Sequence, residues 1–491
     1  MADTKPRNLK IVMFPFMAQG HIIPFVAFAL RLEKIMKNRA NTVISMVNTP
    51  LNIPKIRSNL PSESSIRLIE LPFNSSDHGF LHDGENFDSL PYSLVIKLLE
   101  ASTSLREPFR DLMTEILKEE DDDDDEKSSV MVIGDFFLGW IGKVCKEIGV
   151  SSVIFSASGA FGLGCYRSVW LNLPHKETKQ DQFLLHDFQE AGEIEKTQLN
   201  SFMLEADGND DWSVFMKKNI PGWSDFNGIL FNTVAEIDQI GLSYFRRITG
   251  VPVWSVGPVS LSPEKKAGSR LTDEAVKTWL DIKQDNSVVY VCFGSMNSIS
   301  QTHMLELAMA LESSEKNFIW VVRPPIGVEL NSEFDVKEYL PEGFEERMTR
   351  LGRGLIVKRW APQVDILSHK ATCVFLSHCG WNSILESLSH GVPLLGWPMA
   401  AEQFFNSILL EKHIGVSVEV ARGKRCDIKS DEIVSKIRLV MEESEVGSEI
   451  RKKAKEVKEL MRRSIMDGVD GSSVIGLEEF LGQAMIKKEK N

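Results

Sequence analysis

The segment F-L-S-H-C-G-W-N-S-I-L-E-S, Phe375 to Ser387, limits the fold of this chain more than any other. Its apolar start is strand-length, and its second half has the spacing of a helix. A strand passing into a helix through so tight a turn belongs to parallel α/β structure. The turn carries His378, Gly380, Asn382 and Ser383. The first N–H groups of a helix have no partner inside it, so such a turn suits an anion, phosphate above all.

The rest of the chain repeats the pattern. Strands are predicted at Ile11–Phe16, Thr42–Val47, Arg67–Glu70, Val130–Gly134 and Ser152–Phe155, with a helix over Ile23–Leu32 after a break at Gly20-His21. A second series follows at Val288–Phe293, Phe318–Val322, Leu355–Lys358, Thr372–Leu376 and Leu394–Gly396, with helices at Thr302–Ser313 and Asn382–Ser389. Between them, Gly257–Arg270 is rich in Pro, Gly, Ser and Lys and reads as a linker. The expected fold class is α/β, with two Rossmann-like parallel-sheet domains facing a deep cleft. The division is 1–256, a linker at 257–270, a second domain at 271–466, and a terminal helix at 467–491 packing back on the first domain. A ligand then belongs in the cleft, at the carboxyl ends of the strands.

Composition narrows the class. At 491 residues the chain suits two domains rather than one core. A net charge of −13 argues against a general binder of nucleic acid or anionic membrane. Six scattered cysteines without a C-x-x-C pair read as reduced thiols in a cytosolic protein. No apolar run reaches the length of a membrane span. The acidic run Glu119–Glu126 reads as a solvated loop rather than a metal site, and Asp77–Tyr92 as a candidate lid or pocket wall.

Several residues carry chemistry. His21 follows the first strand, where a neutral imidazole could take a proton from a hydroxyl or simply cap the next helix. Asp135 closes another strand on the same sheet edge. It could hold a histidine N–H, as in hydrolytic triads, or cap a helix beginning near Phe136. No G-x-S-x-G elbow is present, so a serine hydrolase is not indicated and His21 reads as a base for the substrate's own hydroxyl. No G-x-G-x-x-G follows a predicted strand, which sets aside a nicotinamide dehydrogenase. Gly294-Ser295 ends a strand and reads as a second small phosphate-facing turn opening toward a helix. Glu386 shares a helix face with Asn382 and Ser383 and suits the vicinal hydroxyls of a ribose. Trp360 offers a stacking face, although taken alone it reads as core. Glu402 and Gln403, after the strand L-L-G-W-P, could hold sugar hydroxyls.

Together these residues resemble the plant UDP-dependent glycosyltransferases of secondary metabolism, in GT-B family 1. The 44 residues from Trp360 to Gln403 look like that family's signature box, from W-A-P-Q through H-C-G-W-N-S to E-Q. The opening F-P-F-M-A-Q-G-H-I-I-P-F and the strand V-Y-V-C-F-G-S are also similar to the family's. The resemblance implies a GT-B fold with Trp360 stacked on uracil, Ala361 reading its edge through the backbone, and Gln363 and Glu386 on the ribose. It implies His378, Asn382, Ser383 and Ser295 on the diphosphate, with Gly380 in the same turn. Trp381, Glu402 and Gln403 would recognise the sugar, with His21 as base and Asp135 as its partner. Gln403 goes with UDP-glucose, while xylose, rhamnose or galactose donors stay open. The implied reaction is inverting transfer of glucose to a hydroxyl of a small hydrophobic plant metabolite (a phenolic, flavonoid or terpenoid, or a sugar already on one), by one chain acting alone, with no metal or other cofactor. Met17, Phe136, Phe137 and Phe155 are candidate acceptor contacts, each equally readable as core. A small-molecule binding protein that has lost turnover is the remaining rival.

Overall fold

The computed structural model describes residues 8–485 except 38, 81–83, 88–89, 122–127, 260–269, 327, 329–333, 359 and 467–469. Most of the predicted linker and of the acidic run therefore lies outside the described residues, as does the middle of the 77–92 segment.

Strands β1 (Leu9–Phe14), β2 (Thr42–Asn48), β3 (Arg67–Glu70), β4 (Ser129–Asp135) and β5 (Ser151–Ser156) form most of the first sheet. A small antiparallel hairpin, β6 (Gln182–Phe183) and β7 (Ile194–Glu195), stands apart. Strands β8 (Ile229–Phe231) and β9 (Val253–Ser255) complete the first sheet in the order β3-β2-β1-β4-β5-β8-β9, with every pairing parallel. The second sheet runs β12 (Gly354–Lys358), β11 (Asn317–Val322), β10 (Val288–Cys292), β13 (Thr372–Ser377), β14 (Leu394–Gly396), β15 (Ser417–Glu419), again all parallel.

Both sheets are therefore doubly wound, and each reverses its winding beside its first strand. The gaps between β1 and β4, and between β10 and β13, are the switch points where such folds bind ligands. Most central strands are buried along nearly their whole length, as parallel strands covered on both faces must be.

Local departures from expectation have local causes. β1 stops at Phe14 rather than Phe16, because Pro15 has no N–H for the ladder. The first helix starts at Gln19, not after a break at Gly20-His21, and runs to Met36 with Pro24 inside it. The core falls into three clusters. One covers the first sheet on the side of the 19–36 helix, and one covers the outer face of the second sheet. The largest is continuous between the sheets, joining Phe161 and Tyr244 of the first domain to Trp381 and Phe405 of the second. The helix Ser472–Ala484 lies on β9, with Phe480 edge-on to Trp254 and Arg39 paired to Glu478. Among the described residues no helix is long and apolar enough to cross a membrane, and all six cysteines are free.

Candidate active site

The two switch points supply His21, Asp135, Ser295 and the 378–383 turn, while Trp360 to Gln363 follow β12 and Glu402-Gln403 follow β14. His21, in the first turn after β1, and Asp135, the last residue of β4, come from adjacent strands. His21 Nδ1 lies 2.7 Å from Asp135 Oδ2, with Asp135 fully buried. The other carboxylate oxygen accepts the backbone N–H of Phe137 at 3.0 Å. Asp135 thus serves the histidine with one oxygen and closes a turn with the other. It does not cap a regular helix, since the next one begins at Trp140. A carboxylate at Nδ1 places the neutral ring's proton there and its lone pair at Nε2.

Aromatic rings surround this pair. Phe16, Phe136 and Phe137 stand 5.8, 5.3 and 5.5 Å from the imidazole. Phe87, from the described part of the 77–92 segment, packs on Phe16 and donates its N–H to the Met17 carbonyl. Met17, Phe136 and Phe137 therefore lie near His21, and Phe137 is only partly buried. Phe155 does not belong with them. It is fully buried against Phe28 and Phe25, under the 19–36 helix, so its selection as an acceptor contact is corrected: it is core.

On the other side, the helix Trp381–Ser389 starts directly after β13, with Gly380 at its N-cap offering no side-chain acceptor. Its first N–H groups are left for a ligand. His378 is held by close contact: a Cβ at Gly294 or at Gly380 would come within 2.8 or 2.4 Å of its ring. Burial pushes its pKa down to about 4, so it is neutral at physiological pH. Cys379 in the same turn is fully buried with φ +61°, its carbonyl taken by Asn406 at 3.0 Å. The turn is over-determined by packing.

Ser295 is exposed in the turn after β10, where Gly294 has φ +78°. The expectation that this turn opens toward a helix is corrected. The next helix begins six residues later at Gln301 and is capped by Ser300, so the turn that holds Ser295 does not itself open a helix.

Gln363 binds Glu386 at 2.6 Å and Ser383 at 3.0 Å, joining the three residues into one cluster. Burial raises the pKa of Glu386, partly offset by the Gln363 bond. Trp360 is 46% exposed, which overturns its reading as core, while Ala361 beside it is buried. Gln403 accepts the N–H groups of Met399 and Ala400 at its Oε1, leaving its amide N–H groups as the end available to a ligand.

The two halves touch through the candidate residues themselves. Asn382 donates to the Gly20 carbonyl at 3.0 Å. That carbonyl lacks its usual helical donor, because the residue four places on is Pro24. Ser158 Oγ donates to Glu402 Oε1 at 3.3 Å; burial raises the Glu402 pKa, and His21 opposes that rise only when protonated. Trp381 goes elsewhere: its indole N–H donates to the Asn232 carbonyl at 2.6 Å and its ring packs on Gly159, so only its backbone remains for a sugar. Ser158 escaped the sequence reading, although its place just past β5 follows the same rule that picked out Asp135. Among the described residues no three His, Cys, Asp or Glu side chains stand together as a metal site would require.

Known proteins resemble this chain in sequence and in fold. Residues 266–448 match the family profile "UDP-glucoronosyl and UDP-glucosyl transferase". UDP-glycosyltransferase 92A1 of Arabidopsis thaliana is 85% identical, covering 100% of both chains. Crocetin glucosyltransferase 3 of Crocus sativus is 39% identical over 89% of this chain and 92% of its own. The crystal structure of Glycyrrhiza uralensis UGT73P12 complexed with glycyrrhetinic acid 3-O-monoglucuronide superposes with a TM-score of 0.80 at 28% identity, covering 97% of this chain and 95% of the other.

Proposed function

The chain belongs to the UDP-glucuronosyl and UDP-glucosyl transferase family and is a UDP-glycosyltransferase of the plant secondary-metabolite type, and from that premise we propose that it transfers glucose, with inversion, from UDP-glucose to a hydroxyl of a small hydrophobic acceptor. The observation that carries the reading is the 2.7 Å contact of His21 with buried Asp135, at the switch point opposite the 378–383 turn. His21 Nε2 takes the acceptor's proton as its oxygen forms a bond to the anomeric carbon. The bond from that carbon to the UDP oxygen breaks on the opposite face, which yields a β-glucoside. Asp135 stabilises the imidazolium that results.

The departing diphosphate meets the N–H groups of Asn382 and Ser383 in the first turn of the 381–389 helix, together with the side chains of Asn382, Ser383 and Ser295. His378 approaches it neutral, as a hydrogen-bond donor. Glu386 and Gln363 hold the ribose, Trp360 and the Ala361 backbone the uracil. Glu402 and Gln403 take sugar hydroxyls, and the Trp381 backbone N–H joins them. No metal has a role in this scheme, so activity should survive EDTA. The partly exposed rings of Phe87 and Phe137, the latter beside His21, favour a flat apolar acceptor. A glucosyltransferase name on one relative supports glucose. A glucuronide complex in another keeps other UDP-sugars in play.

The test follows UDP release with UDP-glucose and a panel of phenols and terpenoid alcohols. His21→Ala should abolish acceptor-dependent release while UDP still binds. Full activity in that variant would falsify the base assignment.

A further inference from the structure

Gln363 is gripped from both ends. Its amide nitrogen donates to Glu386 Oε2 at 2.6 Å and to Ser383 Oγ at 3.0 Å, while its oxygen accepts the phenol of Tyr290 at 3.2 Å. Chemistry fixes which end faces which: a carboxylate only accepts, so the amide nitrogen must turn to it. The reverse orientation would set two acceptors against each other.

Tyr290 is suited to hold that orientation. It lies in the middle of β10, fully buried, with its ring stacked 4.7 Å from Phe375. Burial raises its pKa far above the ordinary phenol value, so it always carries the proton it donates. The buried Tyr290 hydroxyl has two acceptors in reach, the Cys292 sulfur and the Gln363 amide oxygen, of which the amide oxygen is the stronger.

We propose that Tyr290 is a positioning residue for the nucleotide's ribose. Its hydroxyl locks the Gln363 amide, and the amide in turn aims the Glu386 carboxylate at the vicinal diol. Tyr290 itself touches no ligand. The proposal rests on the reading of Glu386 as the ribose acceptor, and it specifies what sets that carboxylate's geometry.

The probes are UDP and 2′-deoxy-UDP, with binding measured calorimetrically on the whole protein. A hydroxyl bonded to a carboxylate should make the unmodified protein prefer UDP by about tenfold or more. Tyr290→Phe, which removes one oxygen, should cut that preference to about threefold or less. Glu386→Gln should cut it as well. If Glu386→Gln loses the preference and Tyr290→Phe keeps it, the ribose reading stands and this inference is overturned. A preference kept in Glu386→Gln overturns both. Equal weakening of UDP and 2′-deoxy-UDP in Tyr290→Phe means a merely structural role, and also overturns the inference. Should Tyr290→Phe not fold, Tyr290→Met removes the same hydroxyl while its flexible side chain fills the space of the ring. An unchanged preference there is equally fatal.

Discussion

His378 sits where two glycines give way to its ring, and its burial makes it a pH-sensitive residue of the fold as well as a candidate ligand. The unfolded chain binds a proton on this imidazole below pH 6.5, but the folded protein resists until about 4. Stability is therefore full above pH 6.5 and falls as the pH drops toward 4. One such group accounts for a loss of about 2 kcal/mol between pH 7 and pH 5. His378→Gln should be less stable than the parent at pH 7 yet lose less on acidification. Urea unfolding at the two pH values measures this, and equal losses would show that burial of the imidazole is not what the acid limb reports. Asp135 works in the other register. Asp135→Asn keeps the Phe137 contact but cannot serve an imidazolium, so kcat should fall about a hundredfold or more with UDP affinity retained. Loss of both together would point to a collapsed loop instead.

Among the elements, the helix Ala160–Asn172 bears most directly on the cleft. Its N-cap is Gly159, which has no side chain to offer, so its first N–H groups look elsewhere. Asp238, from the helix Ala235–Thr249, accepts Ala160 N at 2.6 Å and Phe161 N at 2.8 Å. Asp238→Ala should cost about 2–5 kcal/mol, since two buried donors lose their partner. Asp238→Asn, whose amide oxygen still accepts, should recover part of that, as urea midpoints would report. This cap joins positions 78 apart and leaves no local mark, unlike the serine cap of the 301–313 helix. The same contrast decides what was legible. Asp135 and His378 announced themselves as polar residues ending apolar runs. β8, β9 and β15 did not: three residues carry no periodicity, and of the strands this short only β14 lies inside the recognisable 360–403 stretch. Phe155 was misplaced because β5 is buried nearly throughout, and in such a strand apolar character does not say which face a side chain takes. The partners of Trp381 and Gln363 come from distant segments and only the fold brings them together.

At the scale of the molecule, the two doubly wound domains meet over side chains that double as candidate ligands. Arg422 pairs with Glu419 in its own domain and reaches Glu195 and Thr197 beside the 182–195 hairpin of the other. Near the sugar side the contact is closer. Gly162 faces Asn406, and a Cβ there would come 2.2 Å from Asn406 Oδ1 and 3.3 Å from Glu402 Cγ. Asn406 cannot easily yield, being fully buried with its amide nitrogen bonded to the Cys379 carbonyl. The 160–172 helix must then move away from Gln403–Ile408, carrying the first domain with it. Such overpacking costs about 1–3 kcal/mol. The effect on the reaction should be larger, because His21 rides on one domain and the proposed donor residues on the other. A shift of about 1 Å between reacting groups is worth roughly a hundredfold in rate. Gly162→Ala should therefore lower kcat by about ten- to a hundredfold. UDP affinity, which the proposed site draws from the second domain, should stay within about threefold, far less than the full loss expected from dismantling a charged hydrogen-bonded site. Paired turnover and UDP calorimetry on this variant give the answer. Unchanged turnover would mean that the domains do not need this separation to bring base and donor together.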